Sequence, residues 1–116
     1  MAINNITKKT ILETDFKFCN DAYSKSIGLM FSKKRKLALI FKFSKERIIG
    51  LHMLFVFYPI DVLFLNKNNI VVDKKENFKP FTFCKSKKKA TYAIELPEGT
   101  IKKTKTNIGD KIDWKF

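Results

Sequence analysis

Apolar positions in this chain fall in short runs, several with a period of two, separated by breaks rich in Lys, Asn and Gly. Runs of that length, bounded by turn residues, predict β-strands. The longest apolar stretch is Ile48 to Leu65 (IIGLHMLFVFYPIDVLFL). Its 18 residues barely reach the length of a membrane helix. Asp61 would cost roughly 2.5–3.5 kcal/mol at a bilayer centre. Phe, Val and Ile dominate, and Pro59 interrupts. The stretch therefore reads as two buried strands, Leu51–Phe57 and Ile60–Leu65, meeting at Tyr58-Pro59, with no membrane span.

The same reading places strands at Thr10–Glu13, Asp15–Cys19, Leu37–Phe43, Ile70–Val72, Phe81–Cys84, Ala90–Leu96 and Lys111–Trp114. Ser44-Lys45-Glu46 reads as a turn. Asn66 to Asn69 is a turn that Asn suits by tolerating positive φ, making Ile60–Leu65 and Ile70–Val72 a hairpin. Asn20-Asp21 can cap a short helix running to about Lys25, ended by Gly28. Pro97-Glu98-Gly99 turns into a second, Thr100 to about Thr106. The expected fold is mostly β: about seven or eight short strands in a closed barrel or two-sheet sandwich, with one or two short helices.

At 116 residues the chain is expected to be one domain, and 45% apolar content suffices for a packed core. Twelve Phe carry most of the aromatic content and belong in that core. The net charge of +13 would draw polyanions. Every basic residue except Arg35 and Arg47 is Lys, however, and specific base readout leans on Arg. A solvated lysine surface is the preferred explanation of the charge. Five Glu are too few for the surface ion-pair networks of a hyperthermophile. Cys19 and Cys84 form no C-x-x-C pattern, which fits a reducing compartment. The opening MAINNITKKTILE has no apolar signal core, so the expected location is cytoplasmic.

One ordered set of segments is informative: Gly28-Leu29-Met30; Leu39 to Phe43; Met53; Pro59 to Phe64; Glu76-Asn77 with Lys79-Pro80; Tyr92 to Gly99; and Ile108 to Ile112. In this order they resemble the domain of unknown function 192 family, from about residue 10 to the C-terminus, leaving residues 1–9 as a loose N-terminus. The resemblance implies a compact, mostly β domain with a short helix or two and no established activity. The family usually has Trp-Met-Lys-Asn-Thr where this chain has His52-Met53-Leu54-Phe55-Val56. A site built on that Lys-Asn pair is therefore altered or absent here. Many relatives are exported, whereas this chain shows no signal.

Asp61 is the leading candidate for chemistry. It is either a ligand contact or general base, or a structural acceptor for backbone amides, because a buried carboxylate must be paired or hydrogen-bonded. Glu95 is either a second acid beside it or a cross-strand partner for lysine. His52, the only histidine, reads as a core residue or a pocket wall; its spacing from Cys19 and Cys84 matches no zinc pattern, and no metal or cofactor is expected. No G-x-S-x-G, Walker or G-x-G-x-x-G motif occurs. The leading expectation is a non-catalytic binding module with a pocket near His52, Asp61 and Glu95, for a small molecule or peptide. A second is non-specific nucleic-acid binding through Lys33, Lys34, Arg35, Lys36, Lys87, Lys88, Lys89, Lys102 and Lys103. A third is a hydrolase-like enzyme using Asp61 and Glu95.

Overall fold

Ten strands and one short helix make up residues 2–19, 38–52, 58–79 and 82–115, which the computed structural model describes; Cys19, Leu51 and His52 are described through their backbone alone. In chain order the strands are β1 (Ala2–Asn5), β2 (Thr10–Glu13), β3 (Phe16–Cys19), β4 (Ala38–Arg47), β5 (Gly50–His52), β6 (Ile60–Leu65), β7 (Val71–Phe78), β8 (Phe83–Lys85) and β9 (Ala90–Pro97). The helix α1 (Thr100–Thr104) and strand β10 (Ile112–Lys115) follow. A five-stranded sheet, order β3-β4-β9-β6-β7, lies with a three-stranded sheet, β10-β1-β2, and a ribbon, β5-β8. Of the two expected architectures, the sandwich fits: the sheets do not close into a barrel.

The run Ile60–Leu65 lacks alternation because β6 is buried on both sides, all six residues being buried. Leu63 and Leu65 join Ile3, Leu12, Ile40, Ile94, Leu96, Ile101 and Ile112 in a core on one face. The three-stranded sheet and α1 contribute to that core. Val62 and Phe64 join Leu39, Phe41, Ile49, Phe78 and Ala93 on the other face, with Cys84 of the ribbon packed against them. Each of these large side chains gains about 1.5–3 kcal/mol from burial, so the central sheet is the energetic core.

Several expectations are extended or corrected. The Ile60–Leu65 hairpin forms as β6 and β7, but β7 runs on to Phe78. Asn69 does adopt positive φ, and Asn66 Oδ1 closes the turn by accepting from the Asn68 and Ile70 amides. Ser44-Lys45-Glu46 is not a turn; β4 continues to Arg47, which pairs with Ala90 beyond an irregularity in the register. Residues 2–9 do not form a loose end, since β1 pairs with both β2 and β10 and buries Ile3. Strand β3 is parallel to β4, which local patterning does not reveal. The helix expected at Asn20–Lys25, and all of the Leu51–Phe57 strand except its first two residues, lie outside the described residues.

Candidate functional site

Asp61 is 1% exposed in the middle of the central sheet. Between Ile60↔Phe78 and Val62↔Lys75 the register of β6 against β7 slips, leaving Glu76 and Asn77 opposite one residue. Asn77 takes up this bulge in the left-handed region, at φ 51. Its amide donates to Asp61 Oδ1 at 3.0 Å, while the Ile101 amide donates to Oδ2 at 2.9 Å. The second bond caps α1, whose N-cap, Gly99, has no side chain to do so. One carboxylate thus fastens β6, the β7 bulge and the helix together.

Asp110 is a second fastener. Its Oδ2 accepts from Asn5 Nδ2 at 3.0 Å, the Asn107 amide at 2.9 Å and Lys8 Nζ at 2.8 Å. Lys8 Nζ also reaches Oδ1, at 3.0 Å. Asn5 Nδ2 donates on to Thr106 Oγ1, and Thr106 and Thr104 share a hydroxyl contact of 2.7 Å. Burial pushes the Asp110 carboxyl pKa up, but the hydrogen bonds from Asn5, Lys8 and Asn107 and the Lys8 charge outweigh it. The group is held below its ordinary value.

Above these two fasteners lies an open cleft of about 550 Å³. Lys8 comes from the β1–β2 turn, Lys74 and Glu76 from β7, and Lys102 and Lys105 from α1 and its end. Lys74 Nζ donates to the Thr106 carbonyl and to Asn107 Oδ1, both at 3.3 Å. Lys8 is held by Asp110. Among the described residues, neither Lys102 nor Lys105 has a side-chain hydrogen-bond or ion-pair partner. The lining therefore presents four ammonium groups, one of them already paired with Asp110, and one carboxylate, Glu76.

The expected pocket joining Asp61 and Glu95 does not match the sheet register. Asp61 pairs with Leu96 and Val62 with Glu95, so the two acids project to opposite faces of one sheet. Glu95 is 8% exposed, on the side of Val62 and Ala93. His52 pairs with Phe83 in the ribbon, and its side chain lies outside what is described. Of the basic candidates, Lys102 lines the cleft; Lys103 is exposed and does not. Lys87, Lys88 and Lys89 are exposed in the β8–β9 connection, away from the cleft lining. Residues 33–36 lie outside the described residues. The Cys84 thiol is half-buried and burial raises its pKa, with Lys75 lowering and Asp73 raising it by charge, so it is a poor nucleophile. No group of three or more His, Cys, Asp or Glu suited to a metal, and no helix long and apolar enough to cross a membrane, occurs among the described residues.

Lys8, Lys74, Asn5 and Asp110 were not legible as a site. Lys8 and Asp110 are 102 positions apart, and no local spacing marks them. The one local signal is the turn signature Asn107-Ile108-Gly109-Asp110 ahead of β10.

Residues 3–114 match the domain of unknown function 192 (DUF192) family, described as an uncharacterized ACR. The chain is 37% identical over 112 residues to a UPF0127 protein of Pyrococcus furiosus, covering 95% of each chain. It is 36% identical over 114 residues to a UPF0127 protein of Pyrococcus horikoshii, covering 97% of each. Among solved structures it is similar to a Sinorhizobium meliloti 1021 protein presented as a candidate transcription regulator, with a TM-score of 0.83 and 20% identity over 97% of this chain and 89% of that one. A Novosphingobium aromaticivorans protein of unknown function gives a TM-score of 0.82 at 17% identity, over 97% of this chain and 82% of that one. At these identities the two structures share the fold.

Proposed function

The chain belongs to the DUF192 family, and within it we propose that this member is a non-catalytic binding module for anions, with the lysine-lined cleft as its site. The observation that carries this reading is the convergence of Lys8, Lys74, Lys102 and Lys105, from three separate elements, on one cleft. Lysines scattered for solubility have no reason to meet. Amides, and at Asp110 also the Lys8 ammonium, already occupy both oxygens of Asp61 and Asp110, which supports a structural role for both rather than an acid–base pair for hydrolysis. The ligand-binding role first expected for His52, Asp61 and Glu95 moves to the surface that Asp61 holds in place.

Salt-dependent retention on immobilised heparin tests the reading, using a charge-matched control. Lys102→Glu with Lys105→Glu should elute at clearly lower salt than Lys87→Glu with Lys88→Glu, although both change the net charge equally. Co-elution of the two double variants would make the charge a general surface property and refute the cleft as a site.

A second reading, single-stranded nucleic acid on the β5–β8 ribbon, is favoured by one observation. Phe83 is 55% exposed and shares a strand face with exposed Lys85, beside Lys87, Lys88 and Lys89. An exposed ring among lysines is the chemistry of a base-stacking platform. In the heparin test, a control variant that loses more retention than the cleft variant would put this reading first.

A further inference from the structure

Building on the anion reading, we infer that the cleft takes a compact oligophosphate, two or more consecutive phosphates on a small carrier, in preference to a single phosphate or a nucleic-acid strand. The volume, about 550 Å³, lies in the range of small-molecule sites, roughly 300–1,000 Å³. The four lysines reach it from three directions in the fold, the β1–β2 turn, β7 and the end of α1. Such an arrangement surrounds a compact charge, whereas a groove that follows a strand needs its charges in line. The lining has no aromatic side chain, so it offers no stacking surface for a base. It has no arginine either. Lysine ammoniums act as point charges that accept phosphate oxygens in many geometries, which suits a flexible phosphate chain.

The spread of the charges, more than their sum, sets the number of phosphates. A phosphate monoester carries about −1.5 to −2 at neutral pH. Lys8 is already paired with Asp110, so Lys74, Lys102 and Lys105 less Glu76 leave a net charge of about +2, divided between β7 and the end of α1. One phosphate matches that sum at a single point, whereas consecutive phosphates in one molecule meet both elements. The lysines are also divided in preparation. Lys8 is fixed by Asp110, and Lys74 by the Thr106 carbonyl and Asn107, so two ammoniums are positioned before any ligand arrives. Lys102 and Lys105 have no such tether among the described residues and are left to close on the ligand. Glu76, the one carboxylate in the lining, opposes phosphate and limits affinity.

The test is titration of the full chain at fixed ionic strength with orthophosphate, tripolyphosphate and a single-stranded oligothymidylate, followed by amide chemical shifts and calorimetry. Tripolyphosphate should bind at least about tenfold more tightly than orthophosphate, with shifts centred on Lys74, Thr106 and Asn107. Lys102→Gln with Lys105→Gln should weaken it by about tenfold or more, and Glu76→Gln should tighten it several-fold. Equal affinity for orthophosphate and tripolyphosphate would overturn the oligophosphate inference while sparing the anion reading. So would oligothymidylate outcompeting tripolyphosphate at the same amides. If no anion moves the cleft amides, the inference and the anion reading fail together.

Discussion

Asp61 and Asp110 are both buried aspartates that tie distant segments together, yet they do so with different partners. Asp61 accepts from two backbone amides, at 3.0 and 2.9 Å, and has no cation partner among the described residues. Asp110 accepts from a side-chain amide, a backbone amide and the ammonium of Lys8. The first fastener joins β6, the β7 bulge and α1. The second shares one of its donors with the cleft, so its electrostatics are connected to whatever the cleft holds. A buried carboxylate is therefore not by itself a sign of catalysis; what decides is whether its acceptor positions are already filled.

The comparison is most directly broken at Asp61. Asp61→Ala orphans two amides under the helix cap and the β7 bulge, and should cost about 3 kcal/mol or more in urea denaturation. A variant as stable as the parent would remove the fastening role and return Asp61 to the list of ligand contacts. Asp110→Asn should cost less, about 1–2 kcal/mol, because an amide oxygen can still accept from Asn5 or Asn107. It should also flatten the acid limb. A carboxyl whose folded pKa is depressed contributes stability that is fully present above its unfolded value, about 3.9, and lost as pH falls through the folded value. Thermal melts between neutral pH and strongly acidic pH should show the parent losing more stability than Asp110→Asn; parallel curves would contradict the assignment.

Smaller effects sharpen the contrast between fasteners and lining. Lys102→Gln with Lys105→Gln should change stability by no more than about 0.5 kcal/mol, since neither side chain has a partner to lose among the described residues. A large loss in denaturation would turn these lysines into structural residues. Lys87→Ala, Lys88→Ala and Lys89→Ala together should barely move the melting temperature and leave anion binding at the cleft unchanged. The Lys87 contact to Asp73 is made by its backbone amide, which the substitution keeps. Weakened tripolyphosphate binding in this triple variant would show that the loop belongs to the same electrostatic site.

Much of the fold was legible because strands leave a local mark. The alternation in Ala90–Leu96, the Asn-rich turn at residues 66–69 and the proline before Ile60 each point to one conformation, and each forms as expected. The β1 strand was missed because Ala2–Asn5 (AINN) is short and half polar. Its stability comes from pairing with β10, more than one hundred positions away. The candidate site was hardly legible at all. Asp61 stood out as an acid in an apolar run, but its partners, the amides of Asn77 and Ile101, carry no side-chain signature.

The sequence by itself determined the strand-rich class, the family, the double-sided burial of Ile60–Leu65 and an excess of lysine looking for a purpose. Periodicity, turn chemistry and composition are local properties, and neighbouring residues suffice to express them. Only the tertiary structure decided that Asp61 and Glu95 face apart and that Lys8, Lys74, Lys102 and Lys105 face together. Both outcomes depend on strand register and on contacts between chain ends, where a shift of one residue would turn every side chain of a strand to the opposite face.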